Sequence, residues 1–174
     1  ILKKLKLKIK KYFLIILHKT ENTTDPIRLN NFLNAFKKIN KKYKMELIWP
    51  IHPRSKQSVI NNKLNIPMGL RLIDPLDFFE FVKLEKNSIC VITDSGTVQE
   101  ECALLGLPNI TIRDTTERPE TIEGGSNFIT GDSSEMILNG VDISIKNKDN
   151  FKCPEEYRYK NVSNTILKIL LQKN

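Results

Sequence analysis

Short apolar runs separated by segments of helical period constrain this chain more than any other feature. A parallel sheet covered by helices on both faces buries its strands completely, so those strands read as continuous apolar runs. Residues 12–17, written YFLIIL, are such a run. Asp25 then supplies an N-cap and Pro26 a first helical residue, and Leu29, Phe32, Leu33, Phe36 and Ile39 recur at helical spacing as a buried stripe. Residues 46–50 read as a second strand followed by a polar helix to about Lys63, and residues 70–73 as a short third strand. Pro75 and Asp77 introduce a helix with Phe78, Phe79, Phe81, Val82 and Leu84, and residues 88–93 make a fourth strand. A tight loop at Asp94, Ser95 and Gly96 leads into a helix over 97–105 that Gly106 closes. Residues 109–113 form a fifth strand, 127–130 a short sixth, and 162–171 a last helix. The alternation predicts an α/β fold with a parallel sheet and flanking helices.

At 174 residues with 40% hydrophobic content the chain is long enough for one domain. Its net charge of +8 raises nucleic acid or an anionic surface as partners, but the charge is confined to one end. Residues 1–44 carry thirteen Lys and Arg against Glu21 and Asp25, a net of +11, which leaves −3 for the remainder. Lys3, Lys4, Lys6, Lys8, Lys10 and Lys11 read as a solvated basic linker over residues 1–11, a former connection between domains, with the globular unit at 12–174. Nucleic acid is the second reading of that run, which lacks interleaved aromatic residues and zinc-finger spacing. No run of about 18 apolar residues and no signal-peptide core occurs, so a cytoplasmic protein without a membrane partner is expected. Cys90, Cys102 and Cys153 lie far apart and read as reduced thiols, and no spacing indicates a metal or redox cofactor.

In an open parallel sheet, ligands bind beyond the carboxyl ends of the strands, where the following helices point their N-termini. His18, His52 with Arg54, Asp94-Ser95-Gly96 and the block from Arg113 to Arg118 all fall at such ends. Gly96 lets the backbone approach an anion, Ser95 and Thr97 offer hydroxyls, and Glu100 and Glu101 one turn later suit a ribose. Helix capping with favourable first-turn charge explains the same residues equally well. Arg113 and Arg118 suit phosphate oxygens, with a surface ion-pair cluster as the alternative. His18 and His52 each read either as site residues or as ordinary strand-end histidines.

Taken together, His18-Lys19-Thr20-Glu21-Asn22, His52-Pro53-Arg54, Asp94-Ser95-Gly96 with Gln99-Glu100-Glu101, the block Arg113 to Glu120 and Gly124-Gly125-Ser126-Asn127 resemble the non-hydrolysing UDP-N-acetylglucosamine 2-epimerases over nearly the whole chain. The wording of 95–102 and 120–123 is similar to the branch acting on UDP-2-acetamido-2,6-dideoxy-L-hexoses. The resemblance implies the C-terminal, Rossmann-like domain of a two-domain GT-B fold, with UDP or a UDP-sugar as ligand. It implies that Phe81 lies against uracil, that Ser95, Gly96 and Thr97 hold the diphosphate, that Glu101 binds the ribose and that Arg118 contacts phosphate. His18 would be the catalytic residue at the sugar-diphosphate junction, with Arg54, Arg113 and Leu76 as further candidates. The implied reaction is elimination of UDP to a 2-acetamidoglucal and re-addition with inversion at C2. Thr97, Leu76 and Lys19 stand where members often have Gly, Gln and Arg. An N-terminal half would supply the remaining acid-base groups, as a separate chain or not at all, and a homo-oligomer is a further expectation. A non-catalytic UDP-sugar module and a GT-B glycosyltransferase half are the competing functions.

Overall fold

The computed structural model describes residues 1–172. Leu2–Leu5 forms a one-turn helix (α1) and Tyr12–Ile16 the first strand (β1). Then follow Thr20–Thr23 (α2), Pro26–Tyr43 (α3), Glu46–Pro50 (β2), Pro53–Asn61 (α4), Leu70–Ile73 (β3), Phe78–Asn87 (α5) and Cys90–Thr93 (β4). Gly96–Leu105 (α6), Asn109–Thr111 (β5), Pro119–Glu123 (α7), Ser134–Lys146 (α8), a 3-10 turn at Glu155–Arg158 and Val162–Leu171 (α9) complete the order. The five strands lie in the order β3-β2-β1-β4-β5 with every pairing parallel. Leu14 pairs with Ile48 on one side and Val91 on the other, which places β1 at the centre.

Side-chain alternation divides the core between the two faces of this sheet. Phe13, Ile15, Leu47, Trp49, Cys90 and Ile92 face a cluster made with Leu29, Phe32, Phe36 and Ile39 of α3 and Ile137 and Val141 of α8. Tyr12, Leu14, Ile48 and Val91 face the other way, against Leu5, Leu84, Val98 and Cys102. The continuous apolar strands follow from this double coverage. The N-cap expected at Asp25 is made: its carboxylate accepts from the N–H groups of Ile27 and Arg28.

Three details depart from the sequence reading. Residues 127–130 add only an isolated parallel bridge between Thr111 and Ile129, so the sheet stops at five strands. The Asn127 side chain is drawn into a buried polar network there instead of alternating in a ladder. Helix α8 was not foreseen, because Gly140 interrupts its pattern; a Cβ at that position would lie 2.6 Å from Thr130 Cγ2, so the helix packs against this strand-end segment only with glycine there. The helix that Pro75 and Asp77 introduce forms as expected, with Phe78 and Phe79 66% and 83% exposed in its first turn and Leu84 and Glu85 buried. In the basic segment every lysine is exposed as a solvated run requires, yet Leu5 is buried and Ile1, Leu2 and Leu7 pack on the second cluster. Lys10 donates to the Lys86 and Ser88 carbonyls at the end of α5, where a cation suits the helix C-terminus.

Candidate functional site

The carboxyl ends of β1 and β4, the central pair, meet at Asp94. This carboxylate is fully buried and accepts hydrogen bonds from the His18 and Lys19 backbone N–H groups and from Asn22 Nδ2, at 2.8–3.2 Å. His18 Nδ1 lies 3.3 Å from Asp94 Oδ1, while about half of the imidazole side chain is exposed. The buried carboxylate thus lies against the Nδ1 edge of a ring that stays half exposed. Asn22, itself buried, is held by Arg28, which also pairs with Asp114 at the end of β5. A cleft of about 120 Å³ opens beside His18, lined also by Thr20, His52, Arg54 and Ser58. His52 caps α4 by accepting from the Arg54 N–H.

Directly after Asp94, Ser95 is the N-cap of α6 and its hydroxyl makes no capping bond. The Ser95 N–H donates to Thr93 Oγ1, and the first intrahelical bond runs from Gln99 N to the Ser95 carbonyl. The N–H groups of Gly96, Thr97 and Val98 therefore have no intrahelical partner, the ordinary condition of a helix start. Arg118 lies over this terminus: a Cβ built on Gly96 would sit 3.6 Å from its Cζ. Its Nε bonds Glu100. Positive charge, free N–H groups and an open backbone thus coincide at Gly96, which is what an anion requires. Glu101, one turn on, is half-buried, and burial reinforced by the neighbouring Glu100 raises its pKa.

Of the expected residues, Ser95, Gly96, Thr97 and Arg118 therefore share the start of α6, with Glu101 one turn further along the helix, and His18 adjoins them through Asp94. Leu76 and Phe81 pack, half-buried, on the second core cluster beside Val98 and Cys102. Arg54 opens into the cleft next to His18. Arg113 has a different place. Only 7% exposed, it makes a bidentate pair with Glu117 at 2.7 and 2.9 Å and lies 3.3 Å from Glu21, tying the 113–118 loop to α2. The Arg113 guanidinium holds the Glu117 carboxyl down at about 2. Its donors face these two carboxylates rather than the start of α6. Asp94 and Gln99 are the residues whose roles the sequence did not show, since nothing in a linear pattern marks a polar side chain as fully buried. Among the described residues no group of three or more His, Cys, Asp and Glu is placed to hold a metal ion.

The sequence model of the UDP-N-acetylglucosamine 2-epimerases matches residues 1–171. This chain belongs to that family. It is 41% identical over 147 residues to the UDP-N-acetylglucosamine 2-epimerase of Methanocaldococcus jannaschii, covering 82% of this chain and 40% of that protein. The crystal structure of the M. jannaschii epimerase in complex with UDP-GlcNAc and UDP superposes with a TM-score of 0.83 at 38% identity, over 93% of this chain and 45% of that one. A heptosyltransferase from E. coli, at 12% identity and a TM-score of 0.54, shares the fold alone. The epimerase-family chain is thus a Rossmann-like domain of the GT-B type, and it spans about 40% of the length of the first curated relative.

Proposed function

We propose that this chain is the C-terminal, UDP-gripping domain of a UDP-N-acetylglucosamine 2-epimerase and that it stabilises departing UDP during C2 epimerisation. The observation that carries the proposal is the Arg118 guanidinium lying over Gly96 at the uncapped start of α6. Elimination breaks the bond from C1 to the diphosphate oxygen and removes the C2 proton, and charge develops on the diphosphate as it leaves. Donors already in place there stabilise that charge without reorganisation. In this reading Glu101 takes the ribose hydroxyls, Phe81 and Leu76 line the uracil side, and His18, oriented by Asp94, faces the sugar-diphosphate junction. The sugar is N-acetylglucosamine or a related N-acetyl-6-deoxyhexose.

UDP is expected to raise the melting temperature, since a ligand at 1,000 times its Kd stabilises the native state by about 4 kcal/mol. Arg118→Ala is expected to weaken UDP binding roughly 10- to 100-fold, the range for losing a charged hydrogen bond. A melting temperature that stays flat up to millimolar UDP overturns the reading.

Epimerisation also needs groups that remove and return a proton at C2, and among the described residues His18 is the one titratable group fixed at this junction by a buried carboxylate. The remaining groups come, in this proposal, from the part of the relatives' length that the chain does not match. Helix α9 offers a surface for that part: Val162, Ile166, Leu167, Ile169, Leu170 and Leu171 are 49–76% exposed and the helix buries no residue. Adding the complementary N-terminal half of a family member is expected to produce C2 epimer, followed by NMR of the anomeric protons. UDP-sugar binding without epimer in that mixture would instead favour a non-catalytic module.

A further inference from the structure

Residue 99 lies on the inner side of α6, away from the expected ligand, and is fully buried. Its side chain nevertheless joins the start of α6, the 113–118 loop and the segment at Asn127. Gln99 Nε2 donates to the Ser95 carbonyl at 3.2 Å, supplementing a long backbone bond of 3.4 Å from its own N–H to the same oxygen. Gln99 Oε1 accepts from Thr116 Oγ1 at 2.7 Å and from Asn127 Nδ2 at 3.0 Å. Thr116 Oγ1 accepts in turn from the Arg118 N–H at 3.1 Å. Asn127 is itself anchored on β5 through Thr111 Oγ1.

We infer that Gln99 is a positioning residue: its amide fixes the Arg118 main chain relative to Ser95 and so sets the span between the guanidinium and the start of α6. The inference rests on the UDP reading above and adds to it a residue that touches no part of the ligand. Only an amide fits the arrangement. One end must donate to a carbonyl and the other must accept twice, and a carboxylate cannot donate while an apolar side chain can do neither. Neighbouring Glu100 holds the Arg118 side chain, so two consecutive residues of α6 hold the main chain and the side chain of the same arginine.

The consequence is selective for phosphate. If Gln99 sets the Arg118 position, its loss must weaken ligands that carry a diphosphate and spare those that do not. Binding of UDP and of uridine to the full chain, measured by ligand-observed NMR, separates the two. Gln99→Leu is expected to weaken UDP at least tenfold and to change uridine less than twofold. Thr116→Val removes the intermediate hydroxyl from a half-exposed position and is expected to act in the same direction, which keeps the test open if Gln99→Leu does not fold. In Gln99→Glu only the protonated side chain can donate to Ser95, so its UDP affinity relative to the wild-type chain is expected to recover as pH falls from 8 to 5. Unchanged UDP binding in both Gln99→Leu and Thr116→Val, or equal losses for UDP and uridine, overturns the role given to Gln99. A wild-type chain that binds uridine but not UDP overturns the diphosphate reading itself.

Discussion

Asp94→Ala is expected to destabilise the folded chain by about 3 kcal/mol, because it strands three donors at once, one of them the fully buried Asn22 amide. The carboxylate is fully buried and is the shared acceptor for the His18 and Lys19 N–H groups and for the Asn22 amide. Alanine leaves all three without their acceptor, and the Asn22 amide is fully buried. The unpaired Asn22 in turn loosens Arg28, which joins this centre to Asp114 beyond β5. Asp94→Asn keeps one acceptor oxygen and should lose less. Urea unfolding followed by circular dichroism measures both, and a change below about 1 kcal/mol for Asp94→Ala would show that the loop closes over the gap. Ligand binding carries the second half of the expectation. Without Asp94 the carboxylate beside the His18 imidazole is gone, so any turnover gained by supplying an N-terminal half should fall further than UDP affinity does.

The placement of this centre was legible because chain topology fixes it. Once apolar runs alternate with helical segments, polar residues immediately after each run must gather on one edge of the sheet, and His18, Asp94 and Ser95 did. What each of them does was less visible. Asp94 stood in the pattern as one polar letter among several, and only burial distinguishes a carboxylate that organises a loop from one that meets solvent. Arg113 and Arg118 illustrate the same limit from the other side. Five residues apart and identical in type, they take opposite places: Arg113 is enclosed by Glu117 and Glu21, whereas Arg118 reaches the start of α6. Sequence spacing could not separate them, because the division depends on which acidic side chain each arginine meets after the 113–118 loop has folded. Helix α8 was hidden for a related reason. Gly140 is a helix-weakening residue on propensity, and its presence makes sense only when Thr130 is seen packed beneath it.

Beneath α6, on the side away from the expected ligand, Glu85 supports the last expectation. It is fully buried between α5 and α6, and its Oε1 accepts from the Cys102 thiol while Oε2 has no partner among the described residues. Burial, with the nearby Glu101 carboxylate adding to it, pushes its carboxyl from an ordinary value of 4.5 up to about 8. In the unfolded chain the same group ionises near its ordinary value, so below that pH both states hold the proton and neither is favoured. Between the two values the unfolded state gains stability by releasing a proton that the folded state retains. Folding stability should therefore be greatest near pH 4.5 as far as this group is concerned, fall as pH rises, and level off above about 8. At pH 7 the accumulated difference is roughly 3 kcal/mol if the full shift is expressed. Glu101, also raised by burial, slopes in the same direction, so the wild-type curve contains both contributions. Glu85→Gln removes one of them. The variant is expected to be more stable than wild type at pH 7–8, to lose that advantage towards pH 4.5, and to retain only the shallower slope that Glu101 leaves. Thermal unfolding of both proteins across pH 4.5–8.5 measures the difference between the curves. Parallel curves would show that the Glu85 carboxylate keeps contact with water in the folded chain, and would overturn the expectation.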